Sequence, residues 1–287
     1  MVMLNYLLGL AIPKIPIAEK TDDAKDFITD KFSFLFDPIK KYFGSFMEWT
    51  SETLNLVPPV VVIIIVAILA FFMTGKKLGL AIFSIIGLWL IDNQGYWVHL
   101  IDTFSLVLIS SLLSVIIGVP FGVLMAKSRT AEIIIEPILD FMQTMPAFVY
   151  LIPAVAFFSI GMVPGVVASL IFATPPTVRF TNLGIRQVSE ELIEASEAFG
   201  STGAQKLFKV ELPMAKSTIM AGINQTVMLA LSMVVVASMI GAPGLGTEVL
   251  SSLQRAQAGT GFAAGLGIVI LAIIIDRFTQ SMNKKKK

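Results

Sequence analysis

The side chains that do chemistry in enzymes are scarce in this sequence. There is no cysteine, so no thiolate nucleophile, disulfide or cysteine-based metal site can form. The single histidine, His99, rules out a histidine-cluster metal centre. No glycine-rich phosphate loop ending in Gly-Lys-Ser or Gly-Lys-Thr is present. Isolated ionisable groups occur near the ends of apolar segments: Asp102, and the pair Asp276–Arg277. A charge inside a membrane is a functional hint by default. These groups, like His99, sit close enough to the expected interface to be solvated there. Ser110, Ser111, Ser114, Ser232 and Ser238 fall within apolar segments, where small polar residues mediate close helix packing. One or two of them could instead line a pathway. No catalytic constellation is visible, and the chain reads as a binding or transport component.

The elements that carry these residues are membrane spans. Of the 287 residues, 55% are hydrophobic and only 14% charged, against about 25% charged in average proteins. The mean hydropathy of +0.83 points to lipid as the solvent. Seven apolar segments lie at about 57–73, 78–91, 100–126, 138–160, 162–178, 217–240 and 262–276. Pro146, Pro153, Pro164, Pro175 and Pro176 interrupt them, either as hinges with carbonyls freed toward a pathway or as simple kinks and helix ends. The first twelve residues are apolar, too short to span, and lack the basic start of a signal peptide.

Between about 13 and 56, Ile28, Phe32, Leu35, Ile39, Tyr42, Phe46 and Trp49 recur at spacings of four and three, an amphipathic helical stripe. Asp37-Pro38 is expected to break it, with Asp37 as N-cap and Pro38 opening a second helix. The stripe suits a helix lying on a membrane surface, or one packed against a bundle. Lys and Arg set orientation. Lys76, Lys77, Lys127, Arg129, Arg179, Arg186, Lys206, Lys209, Lys216, Arg277 and Lys284 to Lys287 fall in alternate loops, whereas the intervening loops hold only Arg255. The alternation puts the 179–216 loop and the C-terminus in the cytoplasm and the N-terminal segment outside. Trp89, Tyr96 and Trp97 fit an interfacial aromatic belt.

The long inside loop carries the most specific pattern. Residues 190–213 read as two short helices: Leu192, Ala195 and Phe199 form an apolar stripe among acids, Gly200 makes a left-handed cap, and Ala204, Leu207 and Phe208 start a second apolar face closed by Pro213. A projecting amphipathic helix of this kind suits a groove on a partner. Glu194-Ala195-Ser196, then Gly200, Val210 and Leu212-Pro213, resembles the EAA loop of ABC importer permeases. Ser196 and Val210 replace the family's alanine and isoleucine, both small or isosteric changes. Segments 145–166, 172–188 and 224–246 also resemble the permease of glycine betaine/proline betaine importers, over nearly all of the chain after about residue 24.

The resemblance implies an all-α integral membrane fold of the type I ABC importer permease. About seven transmembrane helices over 57–280 would follow an amphipathic segment, 1–56, and precede a basic tail, 281–287. It implies a multi-pass protein of the bacterial plasma membrane that pairs with a second copy of itself. Two ATP-binding subunits would take the 190–213 coupling loops, and those subunits would hold ATP and Mg; this chain would need no cofactor. A separate extracellular binding protein would deliver substrate, and the turn with Gly241, Pro243, Gly244, Leu245 and Gly246 could contact it, although glycine and proline also mark any tight loop. Partners would be protein and lipid, not nucleic acid. Choline, carnitine, proline or another small amino acid is the alternative cargo, and the N-terminal amphipathic segment favours glycine betaine. A secondary transporter would show internal repeats and mid-membrane ion pairs, and neither is readable.

Overall fold

The computed structural model describes residues 16–76 and 78–283; the first twelve residues, Lys77 and the tail lysines Lys284 to Lys287 fall outside them. The described residues are helices joined by short turns, without strands. Four helices are long and apolar enough to cross a membrane: α6 (Trp97–Lys127), α9 (Met162–Arg186), the 36-residue run Gly203–Ser238, which includes α12 (Leu212–Ser238), and α14 (Ala258–Asn283).

At the centre, α9 lies between α6 and α12. It is the least apolar of the four and the most enclosed, with 67% of its most apolar stretch buried. Shielding by protein is what permits Thr174, Pro175, Pro176, Thr177 and Thr181 at that depth. Lipid tails supply no hydrophobic drive for helix association, so contact depends on close packing and interhelical hydrogen bonds. Gly118 and Gly122, four residues apart, provide the first on α6. A methyl group on Gly122 would sit 2.5 Å from the Thr181 Cβ and 2.6 Å from the Val178 carbonyl oxygen. On α12, one on Gly222 would sit 2.5 Å from the Phe180 Cβ. The buried hydroxyls of Thr177 and Thr226, 2.7 Å apart, supply the hydrogen bond.

The remaining apolar segments depart from straight spans. The helices α4 (Pro59–Met73) and α5 (Leu78–Asn93) form a hairpin of 15 and 16 residues. At 1.5 Å per residue each is about 22–24 Å long, short of the roughly 30 Å hydrocarbon layer. Their small residues Ala67, Ala70, Ala81, Ser84 and Gly87 turn inward, while Ile64, Ile68, Phe72, Ile82 and Trp89 are exposed. That arrangement would be inside-out in water and is natural in lipid.

The fourth segment is not one straight helix. It comprises α7 (Arg129–Thr144), a 3-10 turn Ala147–Tyr150, and α8 (Leu151–Phe158), with a bend of 109°. The residue before a proline avoids the helical region, and Met145 is extended with ψ 133° ahead of Pro146. The Tyr150 hydroxyl donates to the Met142 carbonyl across the bend. By contrast, Pro175 and Pro176 are buried inside an unbroken α9.

The N-terminal arm comprises α1 (Ile17–Lys31), α2 (Ser33–Pro38), a π-turn Ile39–Phe43 and α3 (Gly44–Asn55). The expected break at Asp37-Pro38 does not occur. Pro38 ends α2 in helical geometry and the backbone continues through the wider π-turn, which absorbs the missing proline N–H. The interruption falls instead at Phe32. A further 92° bend separates this arm from α4.

The arm docks with the face next to its stripe. Met47 is fully buried, the Ser51 hydroxyl donates to Asp102, Phe36 stacks on Phe157 at 4.9 Å, and Lys40 Nζ donates to Ser159 Oγ at 2.7 Å. Of the stripe, Ile28, Phe32, Ile39, Tyr42, Phe46 and Trp49 remain exposed, and the side chain of Leu35 lies outside the described ones. These contacts fix the arm at the N-terminal ends of α6 and α9, the end of the bundle away from the 190–213 loop. Asp102, partly exposed, is a hydrogen-bond acceptor between elements.

Candidate coupling surface

The 190–213 loop opens with α10 (Glu190–Ala198), which carries Glu190 and Glu191 in its first turn, where negative charge suits the helix dipole. Its end is a Schellman cap. The Gly200 N–H donates to the Glu197 carbonyl at 2.8 Å and the Ser201 N–H to the Ser196 carbonyl at 3.1 Å. Gly200 takes φ +77°, while no atom lies within 4 Å of where its Cβ would be, so conformation and not space requires glycine.

Thr202 then starts the next helix with a capping box. The Gln205 N–H donates to Thr202 Oγ1 and the Thr202 N–H to Gln205 Oε1 at 2.9 Å. Lys206 ties the two halves by pairing with Glu197. The hydrogen bond from Lys206 holds the Glu197 carboxyl below its ordinary range.

The second helix was expected to close at Pro213. It continues instead, from α11 (Gly203–Lys206) through a π-turn, Leu207–Glu211, directly into α12. Proline near a helix start needs no donor, and the π-turn takes up the register change before it. Glu194, Ala195, Gly200 and Pro213 are exposed, Ser196, Val210 and Leu212 partly so. Leu207 and Leu212 pack on Ile185, Ala215 and Ile219, anchoring the loop to the bundle. Phe199 at 91% and Phe208 at 68% exposure, with Leu192, leave an apolar face at the tip.

Ion pairs the sequence reading did not anticipate lie under the loop. Glu132, buried, accepts from Arg129 at 2.7 Å and from Arg186 at 2.8 Å. Arg186 also donates to the Met125 carbonyl at 3.2 Å. Glu211, 4% exposed, pairs with Lys127. Arg179 pairs with Asp140. Apart from Arg129–Glu132, three residues apart on α7, no spacing in the sequence announces these contacts, because the partners come from different segments. The Thr202–Gln205 capping box, in contrast, was readable at its fixed three-residue spacing.

At the opposite end, the turn after α12 is built into the bundle. Gly241 and Pro243 are exposed, but Gly244, Leu245 and Gly246 are buried. The Leu245 N–H donates to Thr103 Oγ1 at 2.8 Å, and a methyl group on Gly246 would sit 2.4 Å from the Val234 carbonyl oxygen. Of the five residues expected to face a docked protein, Gly241 and Pro243 are therefore accessible; the other three serve packing at the start of α13 (Leu245–Gln254). His99 Nε2 lies 3.4 Å from Glu248, joining α6 to α13. Asp276 accepts from Asn224 Nδ2 at 3.0 Å and from Gln280, so it too is held between helices. Ser110, Ser111 and Ser114 are buried and donate back to helix carbonyls, Ser238 does the same, and Ser232 is exposed.

Comparison with known proteins follows this geometry. The family profile described as binding-protein-dependent transport system inner membrane component matches residues 118–287. The glycine betaine/carnitine transport permease protein of Listeria monocytogenes is 59% identical over 278 residues, 96% of this chain and 98% of that protein. The glycine betaine transport system permease protein of Bacillus subtilis is 52% identical over 276 residues, 96% and 97% of the two chains. Among solved structures, the inward-facing MetNI methionine ABC transporter matches with a TM-score of 0.59 over 68% of this chain and 95% of that one. At 22% identity this is a likeness of fold.

Proposed function

The chain belongs to the binding-protein-dependent transport system inner membrane component family, and on that premise we propose that it is the permease subunit for glycine betaine or related quaternary ammonium osmoprotectants. The observation that carries the cargo is the 59% identity, along 96% of the chain, to a permease named for glycine betaine and carnitine. Carnitine is the second reading, favoured by that same name.

In this proposal two copies enclose the pathway on a two-fold axis, as closed symmetric assemblies do. A separate binding protein presents the substrate at the end that carries the N-terminal arm and the turn at Gly241. The 190–213 loops face the cytoplasm. Each offers Leu192, Phe199 and Phe208 to a groove on an ATP-hydrolysing partner, with Glu194, Ala195, Ser196, Gly200, Val210, Leu212 and Pro213 shaping that contact. The permease itself performs no hydrolysis, and ATP and Mg belong to the partner. Movement of the loops alternates access between inward-open and outward-open bundles.

The test is growth in high salt. A host lacking betaine uptake and choline oxidation, given this chain with its partner subunits, should recover when glycine betaine is supplied. Recovery with carnitine alone selects the second reading, and recovery with neither rejects both.

A further inference from the structure

Both stalks of the 190–213 loop are clamped by buried carboxylates to one corner of the bundle, the turn between α6 and α7. On the descending stalk, Arg186 ends α9 three residues before Ser189, the residue that precedes the first turn of α10. Its guanidinium reaches Glu132 at 2.8 Å and the Met125 carbonyl at 3.2 Å. On the ascending stalk, Glu211 closes the π-turn that follows α11 and pairs with Lys127. The four partners Met125, Lys127, Arg129 and Glu132 thus lie within eight consecutive residues, and Ser128 caps α7 among them by accepting from the Ala131 N–H at 3.3 Å.

The burial is what makes the arrangement informative. Glu132 is 8% exposed and Glu211 4%, whereas Lys127, Arg129 and Arg186 keep at least a third of their side-chain surface open. Surface ion pairs contribute little, but a buried carboxylate that loses its cation is left uncompensated. If tight packing were the only need, apolar residues of similar volume would serve as well. A moving loop pulls directly only on α9 and α12, to which it is joined. Two charge clamps onto one corner would make α6 and α7 follow, and with α7 the bent pair that ends at Phe158.

We infer that the α6–α7 corner, through Lys127–Glu211 and Arg186–Glu132, is the transmission element that carries movement of the 190–213 loop into α6 and α7. These four are positioning residues, and the inference rests on the proposal that the loop docks on an ATP-hydrolysing partner. The corner travels with the loop as one body, so that rearrangement is passed along helices and not absorbed within the loop.

The experiment uses the assembled complex of permease, partner ATPase and binding protein in proteoliposomes. Uptake and ATP hydrolysis are measured on the same sample. Glu211→Gln and Glu132→Gln neutralise a carboxylate while leaving its cation able to reach water, and co-purification of the ATPase reads assembly. Each variant is expected to assemble, to hydrolyse ATP, and to lose at least about fivefold in uptake per ATP, the lower end of coupling between sites. The charge-exchanged pair Lys127→Glu with Glu211→Lys should recover the ratio to within about twofold.

An assembled Gln variant with the wild-type ratio overturns the inference. If neither Gln variant assembles, the exchanged pair decides: assembly with a normal ratio supports the clamp, and assembly without coupling overturns it. Gly200→Val in the same assay separates this inference from the reading beneath it. If Gly200→Val uncouples and the clamp variants do not, the transmission corner fails and the docking loop stands. If none of them uncouples, the docking loop itself is wrong.

Discussion

Gly200 and Gly122 show two different reasons for glycine, and they predict different failures. Gly200 has open space around it and a left-handed backbone. A side chain there costs about 1–2 kcal/mol in conformation and collides with nothing. Gly200→Val should therefore leave membrane insertion and yield unchanged while disconnecting ATP hydrolysis from uptake; full transport in that variant would remove the cap from the account. Gly122 is helical and closed in by Thr181 and Val178. Gly122→Val should lower the thermal midpoint of the purified protein, as overpacking costs about 1–3 kcal/mol. Gly79→Val, with nothing within 4 Å, is the control and should change stability far less.

The Lys206–Glu197 pair adds a pH expectation. Its carboxyl is held below the ordinary range, so the folded state binds that proton less readily than the unfolded chain. Its contribution is present above the unfolded value and lost as pH falls through the depressed one. The stability from this pair should thus be independent of pH near neutrality, and the thermal midpoint of a Lys206→Met variant should approach the wild-type value only in acid. Gly200 was legible in the sequence because its cap follows an acid-rich amphipathic run within one segment. Gly122, and the buried Glu132 and Glu211, were not, because what confines them comes from other helices.

Among the elements, the N-terminal arm separates what periodicity can and cannot tell. The spacing of Ile28, Phe32, Ile39, Tyr42, Phe46 and Trp49 correctly marks one helical face, but that face is exposed, and Met47 and Ser51 next to it make the contact with the bundle. The same limit applies at Asp37-Pro38 and Pro213, where a π-turn carries the helix past a proline. It applies again to the fourth apolar segment, whose composition could not reveal a 109° bend at Pro146. The arm's place at the end away from the 190–213 loop gives a direct prediction. Ser45 is exposed on α3, and the chain has no cysteine of its own. Ser45→Cys in intact cells should react with a membrane-impermeant thiol reagent. Cysteine in place of Ser201, in the loop, should react only after the membrane is opened. The reverse pattern would invert the orientation.

For the whole molecule, the arrangement is a helical core whose two ends are built for different work. One end carries the arm and a turn locked by Thr103 and Leu245; the other carries a loop with exposed phenylalanines held by ion pairs. The all-helical membrane fold was readable from composition and seven apolar segments, and the loop from its fixed letters. The packing of α9 between α6 and α12 was not, since it depends on glycine and threonine faces that meet only in three dimensions. The proposed function requires this bundle to import betaines when driven through that loop. Proteoliposomes holding the chain with its ATPase and binding protein, ATP inside, would be tested for uptake of labelled glycine betaine against unlabelled carnitine, choline, proline and methionine. ATP-dependent uptake displaced chiefly by betaines is the expected result. Absence of betaine uptake, with transport of another of these compounds, would contradict it.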